Sequence, residues 1–335
     1  MDLINLEKIL EAEPKYRLKQ AKSAVFQELI EDWTETSSLP LELRKKLNEA
    51  CPLSIKADIL RSKTKDAIKA RITLKDNLQI ESVLMRHLDG RNTICVSSQA
   101  GCPLDCKFCA TGKMGFKRNL EFSEIVEQAL FFARYLKKED QRITNAVFMG
   151  MGEPFLNYEN VIRAIRILND KDGLNIGARN ISISTVGVIE GIKKLSEEKL
   201  QLNLAVSLNA PNNQLREKIA PINKKYPIET IFKAVDDYIK KTNRQVMFEY
   251  LLIKGVNDSD SCAIELVNLI KKPLYFLNLI LYNPTGDFES SPPEKVKKFK
   301  DILKNAGVKF SQRYEFGRDI KAACGQFASS KIDNR

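Results

Sequence analysis

Long apolar runs are absent from this 335-residue chain. No stretch approaches the roughly 18 consecutive apolar residues that a membrane helix needs. The N-terminal MDLINLEKILEAEPKYR also lacks an apolar core followed by a small-residue cleavage site. A cytoplasmic protein with no membrane partner is therefore expected. Twelve prolines and fifteen glycines exclude a fibrous or low-complexity chain, and no internal repeat stands out. Histidine is nearly missing: His87 is the sole one, and a lone histidine is more often structural than a ligand. Trp33 is the only tryptophan and is expected to anchor a small N-terminal core.

What is present suffices for a large folded unit. The chain is 43% hydrophobic and 29% charged, so it can bury a sizeable core. Lys and Arg outnumber Asp and Glu by 54 to 43, a formal net charge of +11. The excess is uneven: residues 1–90 hold 16 basic and 15 acidic side chains, residues 291–335 hold 11 and 5. A basic excess in one part suggests a polyanion partner, although a lysine-rich solvated surface has the same composition.

Residues 1–65 read as short helices, an RNA-binding or accessory domain. Leu18, Ala21, Val25, Phe26 and Leu29 form a helical stripe within 15–30, and Pro40 opens the helix LELRKKLNEA. The period changes over residues 66–94, where AIKARITL, LQIESVLM and NTICVSS alternate around DN and DG turns. A small β-meander linker is expected there. From residue 95 to 328 apolar strands alternate with amphipathic helices, the pattern of an α/β fold whose parallel sheet is covered by helices. About six such units make either a partial barrel or an open doubly wound sheet, with sites at the C-terminal strand ends. Residues 329–335 read as a tail.

Seven cysteines are too few and too odd in number for a disulfide scaffold in a chain without a secretion signal. Three are clustered. Cys102, Cys106 and Cys109 make C-x3-C-x2-C within CVSSQAGCPLDCKFCATGKMGFKRNL. Thiolates this close in a loop containing Gly and Pro can converge on one metal centre. Three ligands leave one iron of a cubane cluster open to a non-protein ligand, for which the amino and carboxylate groups of S-adenosylmethionine (SAM) are suited. The competing reading is structural zinc, with Cys95 or His87 as fourth ligand, but no second paired knuckle exists. Phe108, beside Cys109, would shield the centre from water.

C-x3-C-x2-C with an aromatic before its last cysteine resembles the radical SAM superfamily. SSQAGC, CATGKMGFKRNL, MGMGEP, SLNAP, PINKKYPI and AACGQF together resemble the RlmN/Cfr family of RNA adenine methyltransferases, over about residues 15–328. The resemblance implies a partial (β/α)6 radical SAM barrel, one 4Fe–4S cluster on Cys102, Cys106 and Cys109, and two SAM molecules per turnover. It implies that a methyl group passes first to a cysteine. The radical made from a second SAM then takes a hydrogen from that methyl, and the carbon radical adds to adenine. By motif match Cys324 in AACGQF carries the methyl, and Cys95 releases the product as a disulfide forms. Glu81 in IESVLM matches the family's base for the ring proton. Gly152 and Glu153 in MGMGEP, Ser184, then Ser207, Leu208 and Asn209 in SLNAP, and Asn283 in YNPTG match SAM contacts. Asn209 stands where the family often has histidine. Cys51 and Cys262 are left for core packing.

The resemblance further implies 23S rRNA as substrate, with tRNA as a second one, a monomer, and flavodoxin or ferredoxin as electron donor. GEP at 152–154 is closer to RlmN than to Cfr, which has GEA, whereas FGRDI at 316–320 is closer to Cfr's FG-x-DI. Methylation at adenine C2 is expected. A Cfr-like C8 enzyme giving ribosomal antibiotic resistance, and a zinc-dependent RNA-binding protein, are the alternatives.

Overall fold

The computed structural model describes residues 3–328, so the expected tail at 329–335 lies outside the described residues. The chain opens with helices α1 (Leu3–Glu11), α2 (Lys15–Phe26) and α3 (Leu41–Ala50). Between the last two, Trp33 sits in a single 3-10 turn with no exposed surface. Its indole Nε1 donates to Cys51 O at 2.9 Å, so its polar edge is satisfied inside the core. The α2 stripe buries Ala21, Val25 and Phe26 as expected, but the helix stops at Phe26 and Leu29 adopts a left-handed φ of 56°.

Strands β1 (Ala57–Arg61), β2 (Ala67–Thr73), β3 (Gln79–Arg86) and β4 (Asn92–Cys95) form an antiparallel run. β1 falls inside the segment expected to be helical. ADILR is too short to show a period, and its strand character comes from pairing with β2. The meander is also more than a linker, because β4 pairs in parallel with the first strand of the βα units.

A small hairpin follows, made of β5 (Gln99–Gly101) and β6 (Phe116–Asn119), with the short helix α4 (Ala110–Lys113) between them. Then come α5 (Phe122–Lys137), β7 (Asn145–Phe148), α6 (Tyr158–Asn169), β8 (Ile181–Thr185), α7 (Ile189–Glu197) and β9 (Asn203–Ser207). The rest is α8 (Asn213–Ile219), α9 (Ile228–Thr242), β10 (Val246–Leu252), α10 (Asp260–Ile270), β11 (Tyr275–Leu281), α11 (Pro293–Asn305) and β12 (Phe310–Gln312).

Among the described residues ten strands form one sheet in the order β1-β2-β3-β4-β7-β8-β9-β10-β11-β12. From β4 onward every pairing is parallel and the order never reverses. A doubly wound sheet would reverse at a switch point. This order instead curls one way into an open barrel with helices outside. The successive residues Leu204, Ala205 and Val206 of β9 are all fully buried, so both faces of the sheet are covered there. One contiguous apolar core runs from Leu6 and Trp33 to Leu303, so the N-terminal helices share it rather than folding around their own. Buried Cys51 and Cys262 belong to it, as their apolar contexts suggested.

Candidate active site

The cysteine loop leaves β5 and returns through β6, at the C-terminal end of β4. Gly101 has φ 78°, and a Cβ there would lie 1.9 Å from Gly115 O, so the two loop ends close only around glycine. Cys109 N donates to Cys106 O at 3.1 Å and Cys109 precedes α4, which tightens the last turn of the motif. Cys102, Cys106, Phe108 and Cys109 all line one cavity. Among the described residues no three His, Cys, Asp or Glu side chains converge on a single-ion site.

The C-terminal segment 321–328 reaches this loop from more than 200 residues away in sequence. Ala110 N donates to Gly325 O at 2.8 Å, and Thr111 Oγ1 to Phe327 O at 2.7 Å. At the segment's ends, Lys69 Nζ donates to Lys321 O at 3.1 Å and Ala328 N donates to Glu81 Oε2 at 3.1 Å. Cys324 thereby enters the wall of the cysteine-lined cavity. It also lines a second cavity, together with Cys95 and Asn283. Among the described residues none of the seven cysteines is in a disulfide, so the disulfide implied by the resemblance is absent from this structure.

Gly152, Glu153, Ser184, Ser207 and Asn209 all join the three cysteines around the first cavity. Gly152 has φ 97°, and a Cβ there would lie 2.5 Å from the Gln99 side chain. Glu153 uses both carboxylate oxygens on backbone amides: Oε1 accepts from Phe155 N at 3.1 Å and Oε2 from Val186 N at 2.9 Å. Burial nonetheless pushes its carboxyl up to about 7. Asn209 holds a left-handed φ of 58°, and its Oδ1 accepts from Leu251 N at 3.0 Å. Its side chain shapes the SLNAP turn as well as facing the cavity. Leu208 lies in the same turn but is fully buried and does not line the cavity; its amide donates to Glu249 O at 3.0 Å.

Glu81 is brought close but not into either cavity. It is 2% exposed on β3, and Lys69 Nζ lies 3.1 Å from its Oε1. Burial raises its carboxyl above the ordinary value, against the pull of Lys69. The thiols are raised as well. Burial lifts Cys95 and Cys102 to about 12 and Cys106 well above its ordinary value. Cys324 is raised by burial too, while Arg313 works in the opposite direction.

A family model described as the radical SAM superfamily matches residues 96–266. A probable dual-specificity RNA methyltransferase RlmN from Dictyoglomus thermophilum is 44% identical, covering 96% of this chain and 93% of that protein. The chain belongs to the RlmN family of radical SAM methyltransferases. A second member, the ribosomal RNA large subunit methyltransferase N of Nitrosopumilus maritimus, is 43% identical over 95% of this chain and 93% of its own length. A crystal structure of a radical SAM methyltransferase from Sphaerobacter thermophilus superposes with a TM-score of 0.94 at 40% identity, covering 98% of both chains. The partial radical SAM barrel is thus the fold of the chain. No helix among its described residues is long and apolar enough to cross a membrane.

Two polar residues of this RlmN-family site were not singled out from sequence. Glu249, inside β10, accepts from Ser184 Oγ at 2.7 Å and from Ser207 Oγ at 3.1 Å. Arg313 Nη1 donates to its Oε1 at 3.1 Å, and Arg313 lines both cavities. The signal for Glu249 was present: a carboxylate in the apolar run VMFEYLL is costly unless it has partners. Arg313, next to a three-residue strand, carried no such signal.

Proposed function

We propose that this chain methylates C2 of a specific adenine in 23S rRNA, and in tRNA as a second substrate, with the methyl group carried to the base on Cys324. The observation that carries the reading is the position of Cys324, in the wall common to the cysteine-lined cavity and the cavity of Cys95 and Asn283.

The donor set fits one 4Fe–4S cluster. Three thiols border one void that continues to Ser184 and Ser207, leaving space for SAM beside the metal. The fourth ligands that zinc would need lie elsewhere: Cys95 lines the other cavity, and His87 Nε2 is 2.9 Å from Thr93 Oγ1 with its ring against Phe316. Two SAM molecules are consumed per turnover, one as methyl donor and one for the single-electron step that the bound cluster supplies.

The chain's own residues do the rest. Cys102, Cys106 and Cys109 hold the cluster. Gly152, Glu153, Ser184, Ser207 and Asn209 form the SAM wall, Leu208 fixes their turn, and Asn283 approaches from the second cavity. Arg313 favours the Cys324 thiolate that must attack the SAM methyl. Cys95, as thiolate, attacks Cys324 Sγ; an S–S bond forms as the carbon–sulfur bond to the base breaks, its electron pair stays on the methylene carbon, and that carbon takes a proton to become the methyl group. Glu81 takes the ring proton, and because it now binds Ala328 N, segment 321–328 shifts for it to do so. An enzyme of ribosomal RNA acts in the cytoplasm. It works as a monomer and takes its electron from flavodoxin or ferredoxin.

Mass spectrometry of 23S rRNA and tRNA nucleosides from cells with and without the gene tests the reading. Loss of 2-methyladenosine is expected. Loss of 8-methyladenosine instead would transfer the chain to Cfr-like chemistry. Anaerobic purification should give brown protein with iron and sulfide, and Cys106→Ala should abolish both. Colourless protein with zinc would overturn the enzyme reading.

A further inference from the structure

Arg216, on α8, has no exposed surface. Its Nε donates to Leu208 O at 3.1 Å, and its Nη1 to Asn223 Oδ1 at 3.0 Å and Tyr226 O at 3.2 Å. Its Nη2 donates to Val186 O. Every one of these acceptors is neutral. Among the described residues no Asp or Glu pairs with this guanidinium in a salt bridge, whereas buried Lys69 and Glu249 both have ionic partners. A buried cation without a counter-charge is expensive.

The fold brings Arg216 and Cys106 to the same region, because Val186, whose carbonyl takes the Arg216 Nη2 hydrogen bond, packs in one apolar cluster with Cys106. Lys107 N, next to Cys106, donates to Ile219 O at the end of α8 at 2.9 Å. Cys106, Val186, Ala210, Ile219 and Ala220 form a small buried apolar cluster of their own. Arg216 is fully buried and Cys106 is 8% exposed, so a charge there acts through a low dielectric. The chain alone leaves the cation uncompensated in its resting thiol state. Three thiolates and the cluster they carry would supply negative charge at that spot. Each electron that enters adds one more.

We propose that Arg216 is the buried counter-cation of the iron–sulfur cluster, and that its charge raises the cluster's reduction potential. This rests on the reading of Cys102, Cys106 and Cys109 as cluster ligands. One electron from an external donor enters the cluster and no proton need accompany it, because the fixed guanidinium offsets the added charge. Arg216 is a positioning residue: it touches neither substrate nor SAM, and acts through Cys106. The same hydrogen bonds tie Leu208 and Val186, so a purely architectural role must be told apart from an electrostatic one.

The test is an anaerobic redox titration, followed by the cluster's electron paramagnetic resonance signal, on full-length wild type, Arg216→Met and Arg216→Lys. At matched iron and sulfide content, Arg216→Met should lower the reduction equilibrium about tenfold, which for one electron is 59 mV. Arg216→Lys keeps the charge with fewer hydrogen bonds and should restore most of the potential. An unchanged potential in Arg216→Met overturns the proposal, as does an equal shift in both variants. If Arg216→Met does not fold or load, hydrogen exchange of wild type decides. Loading the cluster should slow exchange across 208–226, and equal exchange in apo and loaded protein overturns the proposal. Wild type that binds no iron sinks the cluster reading itself, whereas a loaded wild type with indifferent variants sinks only the role of Arg216.

Discussion

Replacing Glu153 by Gln should flatten part of the chain's stability–pH curve. Glu153 is 4% exposed, and burial holds its carboxyl at about 7 instead of the ordinary 4.5. The folded state therefore keeps a proton that the unfolded chain has lost. A carboxyl raised in this way contributes stability that is complete below pH 4.5 and is lost as pH climbs through 7. Crossing the whole interval is worth about 3 kcal/mol, and the span from pH 5 to pH 8 about 2.5 kcal/mol. Gln has nearly the same shape and no proton to lose, and its side-chain oxygen can still accept from Phe155 N or Val186 N. Urea unfolding of the iron-free chain, followed by circular dichroism at several pH values, measures the difference. Wild type should lose about 2.5 kcal/mol more than Glu153→Gln between pH 5 and pH 8. Parallel curves would mean that the two backbone N–H donors keep the carboxylate ionised in the fold, and the linkage argument would fail.

Cys95→Ala should stall with protein joined to RNA through the Cys324 carbon–sulfur bond, and Cys324→Ala should not. A denaturing gel with and without ribonuclease reads both, and adduct-free Cys95→Ala that has lost activity would remove the releasing role. Gly101→Ala must place a Cβ against Gly115 O at positive φ. It should cost at least about 2 kcal/mol and most of the iron, measured by melting and by iron content. RNA affinity should fall steeply between low and high salt, as expected for a basic chain that displaces counterions. A filter-binding series with no salt dependence would remove that contribution.

Residues near in sequence were the legible part. The spacing of Cys102, Cys106 and Cys109, the β-branched strands and the amphipathic helices are local patterns. The apolar runs ISIST and VMFEYLL are the strands Ile181–Thr185 and Val246–Leu252. β1 was not legible, because five residues of mixed polarity become a strand only when β2 supplies the partner. The positions of Cys95, Cys324, Glu81 and the SAM-wall residues were named by motif resemblance. Their grouping was not written in any local pattern. It depends on hydrogen bonds such as Ala110 N to Gly325 O and Ala328 N to the Glu81 carboxylate, which join segments more than 200 residues apart. The charge network Ser184–Glu249–Arg313 and the uncompensated Arg216 were likewise decided only by folding. Burial, not residue type, turns an ordinary carboxylate or guanidinium into a group that must find a partner. Sequence by itself settled which chemistry the chain can carry and the order of its elements. The tertiary structure decided which thiol faces which cavity, and which charges are left to be answered there.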